Sequence, residues 1–222
     1  MGLRTLSEHN MLYDSIVTTL MKKGSGNMII DLLRTRQSVR KYSEEEVPQD
    51  IIETILEAGR LSPSGGNEQP WKFGVITDRD LINQITQYSY NQNWIKEASF
   101  LVVLCTNNIE KSRGARNIQQ VRFPKYADII ETMDEDIYIR LNAEEHQTKI
   151  PGTHMMLAAT EYGIGSCFIS YFDVDQVSKL LNLPERCIAS EMITFGYPVE
   201  EKKKISKKQM SDVVFYNQYK LE

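Results

Sequence analysis

Residues 99–106 read SFLVVLCT, an uncharged run built on Phe, Leu and Val. A run of this length, rich in β-forming side chains and with no alternation, reads as a strand buried on both faces rather than as a helix. Such a strand needs a sheet with cover on two sides. The flanking sequence offers that cover as amphipathic helices. In VPQDIIETILEAGRL (47–61) Ile51, Ile52, Ile55 and Leu56 form one stripe, Pro48 suits the first turn, and Asp50 and Glu53 suit the positive end of the helix dipole. PGTHMMLAATEYG (151–163) predicts a short apolar helix in a central place, stopped by Gly163.

Other strands are predicted at 71–77, where Trp71, Phe73 and Val75 alternate, and near 166–170 and 188–195. Further helices are expected near 80–88 and 174–181. The charged stretch 110–150 carries helical signals around 126–147. Few clean βαβ units occur, so the order favours an α+β fold of three layers over a Rossmann sheet. One domain is expected for 222 residues. Its start is placed at Met28, where MIIDLLRTRQS opens a helix after the flexible KKGSGN stretch. Residues 1–27 then form an N-terminal extension to a domain over 28–222.

Several function classes are unfavourable. A net charge of -4 disfavours general binding to nucleic acid or anionic membranes. No apolar run approaches the roughly 20 residues of a membrane span, and no signal-peptide pattern is seen in the first thirty residues. Cys105, Cys167 and Cys187 are odd in number and widely spaced, and the three histidines are scattered. Neither zinc nor a disulfide framework is expected, and a reducing cytoplasm fits best. No GxSxG elbow is present. The carboxylates between Glu131 and Glu145 read better as a charged helix face than as an acid/base pair.

Four stretches stand out. RTRQSVRKY places Arg36, Ser38 and Arg40 directly after the first helix; two guanidiniums and a hydroxyl can hold a phosphate, although a basic helix terminus looks the same. PSGGNEQPW (63–71) lacks P-loop spacing, yet its glycines allow close backbone approach. Its Asn67 and Gln69 both donate and accept, which suits a flat ring of mixed polarity. GIGSCFIS (163–170) fails the dinucleotide pattern because Phe168 stands at the sixth position; a helix cap followed by a core strand explains it equally well. EEKKKISKKQM supplies lysines that are either a solvated surface or an added cation for the phosphate group.

Taken in order, these stretches resemble the FMN-dependent nitroreductase family. RTRQSVRKY resembles its opening motif of two basic residues around a serine. LSPSGGNEQPWKF resembles its Pro-Ser-x-x-Asn-x-Gln-Pro-Trp loop, GIGSCFISYFD its Gly-Leu-Gly-Ser-Cys-Trp-Ile-Gly segment, and FGYPVEEKKK its Gly-Tyr-Pro turn. The resemblance spans about residues 28–214. It implies a dimer with a central, mixed but mainly antiparallel sheet, helices on both faces, and FMN in the interface. Arg36, Gln37, Ser38 and Arg40 would hold the flavin of their own subunit, Arg36 at the phosphate. Pro63, Ser64, Gly65 and Asn67 would lie over the partner's flavin. Asn91 would contact the ring, Phe168, Ile169 and Ser170 would line it, and Lys207 (or Lys204 or Lys208) would reach the phosphate.

The implied activity is ping-pong transfer of hydride from NAD(P)H through FMN to a nitroaromatic, quinone or similar flat acceptor. Neither a metal nor an acid/base dyad is needed. A reductive dehalogenase, a flavin-consuming enzyme or a non-catalytic flavin-binding protein are the alternatives. Ser170 and Tyr171 depart from the pattern, since relatives carry Gly or Glu and then a small residue there. Trp94 stands where some relatives place a cation.

Overall fold

The computed structural model describes residues 28–90, 92–107, 116–145, 148–199 and 205–219. Residues 1–27 and Asn91 lie outside the described residues. Four strands form one sheet: β1 (Trp71–Ile76), β2 (Phe100–Asn107), β3 (Gly165–Ile169) and β4 (Cys187–Gly196), in the order β1-β2-β4-β3. All three pairings are antiparallel. Among the described residues a parallel bridge enters at the sheet edge, where Ser38 pairs with Ser166 of β3.

The two-sided burial expected of 99–106 is seen residue by residue. Leu101, Val103 and Cys105 of β2 face one cluster, with Ile82 and Ile85 of α3 (Arg79–Gln87) and Val177 of α8 (Val174–Leu180). Phe100, Val102 and Leu104 face the other, with Ile52 and Ile55 of α2 (Gln49–Arg60) and Met155, Met156 and Ala159 of α7 (Lys149–Glu161). Helix, sheet and helix are thus the three layers. Gly152 lets α7 lie close to the sheet: a Cβ there would sit 2.7 Å from Phe168 Cζ and 2.8 Å from Leu104 Cδ1.

Strand β4 changes parity. Cys105 pairs with Ala189, but Leu104 pairs with Glu191, so Ser190 is an inserted bulge residue. Cys187 and Ala189 face the α3/α8 side, whereas Ile193 and Phe195 face the α2/α7 side. The bulge is held by Ser190 Oγ, which donates to Leu104 O at 2.9 Å and meets Thr148 Oγ1 at 3.0 Å.

Helix α1 spans Met28–Thr35 among the described residues and buries none of its side chains. The stretch whose helices were hardest to read resolves into α4 (Arg116–Arg122), α5 (Ala127–Thr132) and α6 (Glu135–Glu145). Arg116 fixes this subdomain by donating to Ile130 O and lying over the Tyr138 ring at 4.4 Å. A short helix, α9 (Met210–Val213), follows in the exposed segment 205–219. Among the described residues no helix is long and apolar enough to cross a membrane.

Candidate active site

The segment after α1 runs along the open edge of β3. Val39 N donates to Ser166 O at 3.0 Å, and Gly165 allows the approach, since a Cβ there would meet Val39 at 2.8 Å. Tyr42 anchors the far end: its hydroxyl lies 2.7 Å from both Val39 O and Thr194 Oγ1. Burial pushes the Tyr42 phenol well above its ordinary pKa. Arg36, Gln37, Ser38 and Arg40 are therefore held against Gly165–Phe168 by backbone pairing and a buried tyrosine. Their charge is felt there. Burial raises the Cys167 thiol pKa, and Arg40, a hydrogen bond from Ser38 and Arg36 oppose it.

Arg36 is half-buried, and a small cavity of about 40 Å³ opens between it, Gln37, Gly163 and Gly165. Arg34 pairs with Asp31 at 3.1 Å, but among the described residues Arg36 and Arg40 meet no carboxylate. Arg40 instead lies over the Trp94 ring at 5.7 Å. A guanidinium drawn out of water without a counter-charge calls for an anion.

The other end of β3 carries the remaining ring-lining candidates. Phe168 and Ile169 sit on opposite faces of the sheet, in the two clusters. Ser170 is exposed, yet its hydroxyl donates to Glu191 Oε2 at 2.6 Å. The 88–94 segment closes on this end: Gln92 Nε2 donates to Tyr171 O at 2.7 Å, Asp173 N donates to Tyr88 O, and the Tyr90 and Tyr171 rings lie 4.6 Å apart. This places the neighbours of Asn91 beside Ser170.

The Pro63–Asn67 loop stands at the opposite edge, ahead of β1. Three strand spacings separate the edges, roughly 14 Å in all. The loop is shaped, not slack. Gly66, Asn67 and Gln69 have φ of 62, 56 and 49°, a left-handed run unusual for non-glycine residues. Ser64 Oγ accepts from Gln69 N at 2.9 Å, and Gln69 Nε2 donates to Asn67 Oδ1 at 3.2 Å. Trp71 is buried and stacks with Phe73, which anchors the loop to the sheet. Ser62 Oγ meets His154 Nδ1 of α7 at 2.7 Å.

One chain thus gathers Arg36, Gln37, Ser38, Arg40, Phe168, Ile169 and Ser170 along β3 and leaves Pro63, Ser64, Gly65 and Asn67 beyond β1. Lys207 lies in the exposed segment before α9. A wide cleft of about 960 Å³ near Tyr42–Gln49 and Lys96–Ser99 includes none of the candidates. Glu44, Glu45, Glu46 and Glu97 outnumber Arg79 and Lys96 in its lining, which disfavours a phosphate.

The sequence of the Nitroreductase family matches residues 33–197, from the end of α1 through β4. The chain belongs to the nitroreductase family. An oxygen-insensitive NADPH nitroreductase of Helicobacter pylori is 31% identical over 199 residues, covering 82% of this chain and 93% of the relative. An FMN-dependent nitroreductase of Clostridium difficile aligns with a TM-score of 0.64 at 25% identity over 85% of this chain and 99% of that one. The NADPH:FMN oxidoreductase of Vibrio harveyi, complexed with NAD+, aligns with a TM-score of 0.68 at 22% identity over 86% and 78% of the two chains. The nitroreductase fold is therefore the fold of this chain, and its family is one of oxidoreductases.

Glu191 escaped the sequence reading. A single carboxylate in the otherwise uncharged run CIASEMITFG (187–196) was the available signal.

Proposed function

We propose that the protein is an FMN-dependent NAD(P)H oxidoreductase, a homodimer of the cytoplasm, that reduces nitroaromatic, quinone or similar flat acceptors. The observation that carries this is the half-buried Arg36, without a carboxylate partner among the described residues, set with Ser38 and Arg40 against the β3 edge. This donor set fits the phosphate and polyol of FMN. Bound flavin would supply the hydride chemistry, accepting from NAD(P)H and passing the electrons to an acceptor that enters the same slot in a ping-pong cycle.

The protein's part is to bind, orient and shield. Arg36 holds the phosphate, and Gln37, Ser38 and Arg40 hold the chain and ring edge. Phe168 and Ser170, with the backbone of Ile169 between them, line the ring, with Asn91 at its rim. Lys207 of the C-terminal segment adds a cation at the phosphate. Pro63, Ser64, Gly65 and Asn67 cover the flavin of the partner subunit. The separation of that loop from the β3 edge favours this assignment, because two chains bring together what one holds apart.

Purification should yield a yellow protein with about one FMN per chain that oxidises NADH or NADPH with nitrofurazone or menadione present. Release of FAD, or no flavin after reconstitution, refutes the cofactor. Tight FMN without turnover on either acceptor refutes the activity.

A further inference from the structure

The bulge in β4 has brought a carboxylate to an unusual place. Glu191 is fully buried, at 0% exposure, on the face covered by α2 and α7. Without the inserted Ser190 it would share the face of Cys187 and Ala189. Its two oxygens are treated differently. Oε2 accepts the Ser170 hydroxyl at 2.6 Å. Oε1 lies 3.2 Å from Lys149 Nζ but receives no hydrogen bond among the described residues. Thr148, next to Lys149, ties the start of α7 to the bulge through Ser190. Three elements therefore converge on one buried charge, and its contacts lead outward to two exposed residues, Ser170 and Lys149.

A buried, incompletely paired carboxylate is costly, and an apolar residue would fill this strand position more stably. Its ionised form only accepts, so the Ser170 proton is turned inward and the hydroxyl lone pairs are left for the site. We propose that Glu191, with Lys149 as its counter-charge, is a positioning residue that orients Ser170 and sets the electrostatic potential at the reactive edge of the bound flavin. This rests on the reading of Ser170 as a flavin-lining residue. A negative charge there opposes electron uptake by the flavin, and the lysine offsets part of that opposition. Because Glu191 is buried and Lys149 is half in solvent, screening weakens the lysine more.

The test is an anaerobic titration of bound FMN against a reference dye in the wild type, E191Q and K149M. E191Q keeps the size of the side chain and can still meet Ser170. It should move the equilibrium toward reduced flavin by about tenfold, or roughly 30 mV for a two-electron couple. K149M should move it the opposite way and by less. A residue that merely supports the fold would lower thermal stability without producing opposed shifts. K149M alters an exposed side chain, so it remains informative if E191Q folds poorly; a potential unchanged in K149M then overturns the proposal. Shifts of the same sign, or none in a protein that holds FMN, overturn this inference alone. A wild-type chain that binds no FMN overturns it together with the functional reading.

Discussion

Arg36 and Arg34 differ in one respect that matters chemically. Arg34 spends its charge on Asp31, one turn back, whereas Arg36 is half-buried and meets no carboxylate among the described residues. Arg36→Ala should weaken FMN binding roughly ten- to a hundred-fold, the equivalent of about 1.5–3 kcal/mol for a charged hydrogen bond. Lys207→Ala should cost less, because Lys207 lies in an exposed segment and must lose more freedom to reach the phosphate. Flavin fluorescence titrations would compare them, and equal dissociation constants for wild type and Arg36→Ala would contradict the phosphate role. The cysteines offer a second residue-level test. Cys105 and Cys187 are buried neighbours on β2 and β4; the interaction with Cys187, and then burial, push the Cys105 thiol above its ordinary pKa. The interaction with Cys105 holds the Cys187 thiol below its ordinary pKa, against burial and with help from Lys72. A lowered pKa favours the Cys187 thiolate over those of Cys105 and Cys167, whose pKa values are raised, but all three thiols are buried and reagent reaches none of them freely. Mass mapping of the folded protein should find all three alkylated slowly, with Cys187, 5% exposed against 1% for Cys105 and Cys167, modified first. At this scale the sequence was legible where chemistry is local: two arginines around a serine can be read from spacing. Glu191 could not be placed, because its direction depends on a one-residue bulge that no pattern in CIASEMITFG announces.

Elements were legible in proportion to how much of their own burial they encode. SFLVVLCT presents apolar side chains to both faces, so its central place follows from composition alone. The α2 stripe likewise names its core face, and Ile52 and Ile55 are buried as expected. The helices of 116–145 were harder because their order rests on contacts from outside their own periodicity, such as Arg116 on Tyr138. Helix α7 shows a third situation. It is apolar around most of its circumference, so periodicity gives it no preferred face, and Gly152 decides where it meets the sheet. Alanine is worth about 1 kcal/mol more than glycine within a helix. Against this, the new methyl would lie at or within 3.0 Å of Phe168, Leu104 and Ile193 together. Overpacking of this kind costs about 1–3 kcal/mol, so Gly152→Ala should be neutral to destabilising by up to roughly 2 kcal/mol. Urea denaturation would measure it, and a clear gain in stability would show that the three side chains can give way. Phe168 is also a ring-lining candidate, so the same substitution should alter flavin affinity more than a surface Gly→Ala does.

For the whole molecule, the arrangement of the candidates argues that dimerisation and FMN binding are one equilibrium. The β3 edge carries the phosphate-ready group, and the shaped loop of Asn67 lies beyond β1. Exposed apolar surface points the same way: Met28, Ile29, Ile30 and Leu33 of α1 and Met210, Val213, Phe215 and Tyr216 near the C-terminus all stand in solvent in the single chain. The apolar residues of 153–159 are not part of that surface, since Met155, Met156 and Ala159 belong to the chain's own core. A ligand held by two chains would stabilise the dimer by mass action, and α1 with the C-terminal segment would supply apolar area to such an interface. Residues 1–27 precede this framework, and a chain starting at Met28 should keep its flavin and turnover; loss of both would make the extension integral. Asn67→Ala should loosen FMN even though it leaves Arg36 untouched. Mixing Arg36→Ala chains with Asn67→Ala chains gives the decisive measurement. In a mixed dimer one site carries both lesions and the other carries neither, so each mixed dimer should regain one tight FMN. Were the loop to serve its own chain's flavin, every site in the mixture would carry one lesion and mixing would restore nothing. A dilute monomer that held FMN tightly would reject the shared site just as firmly.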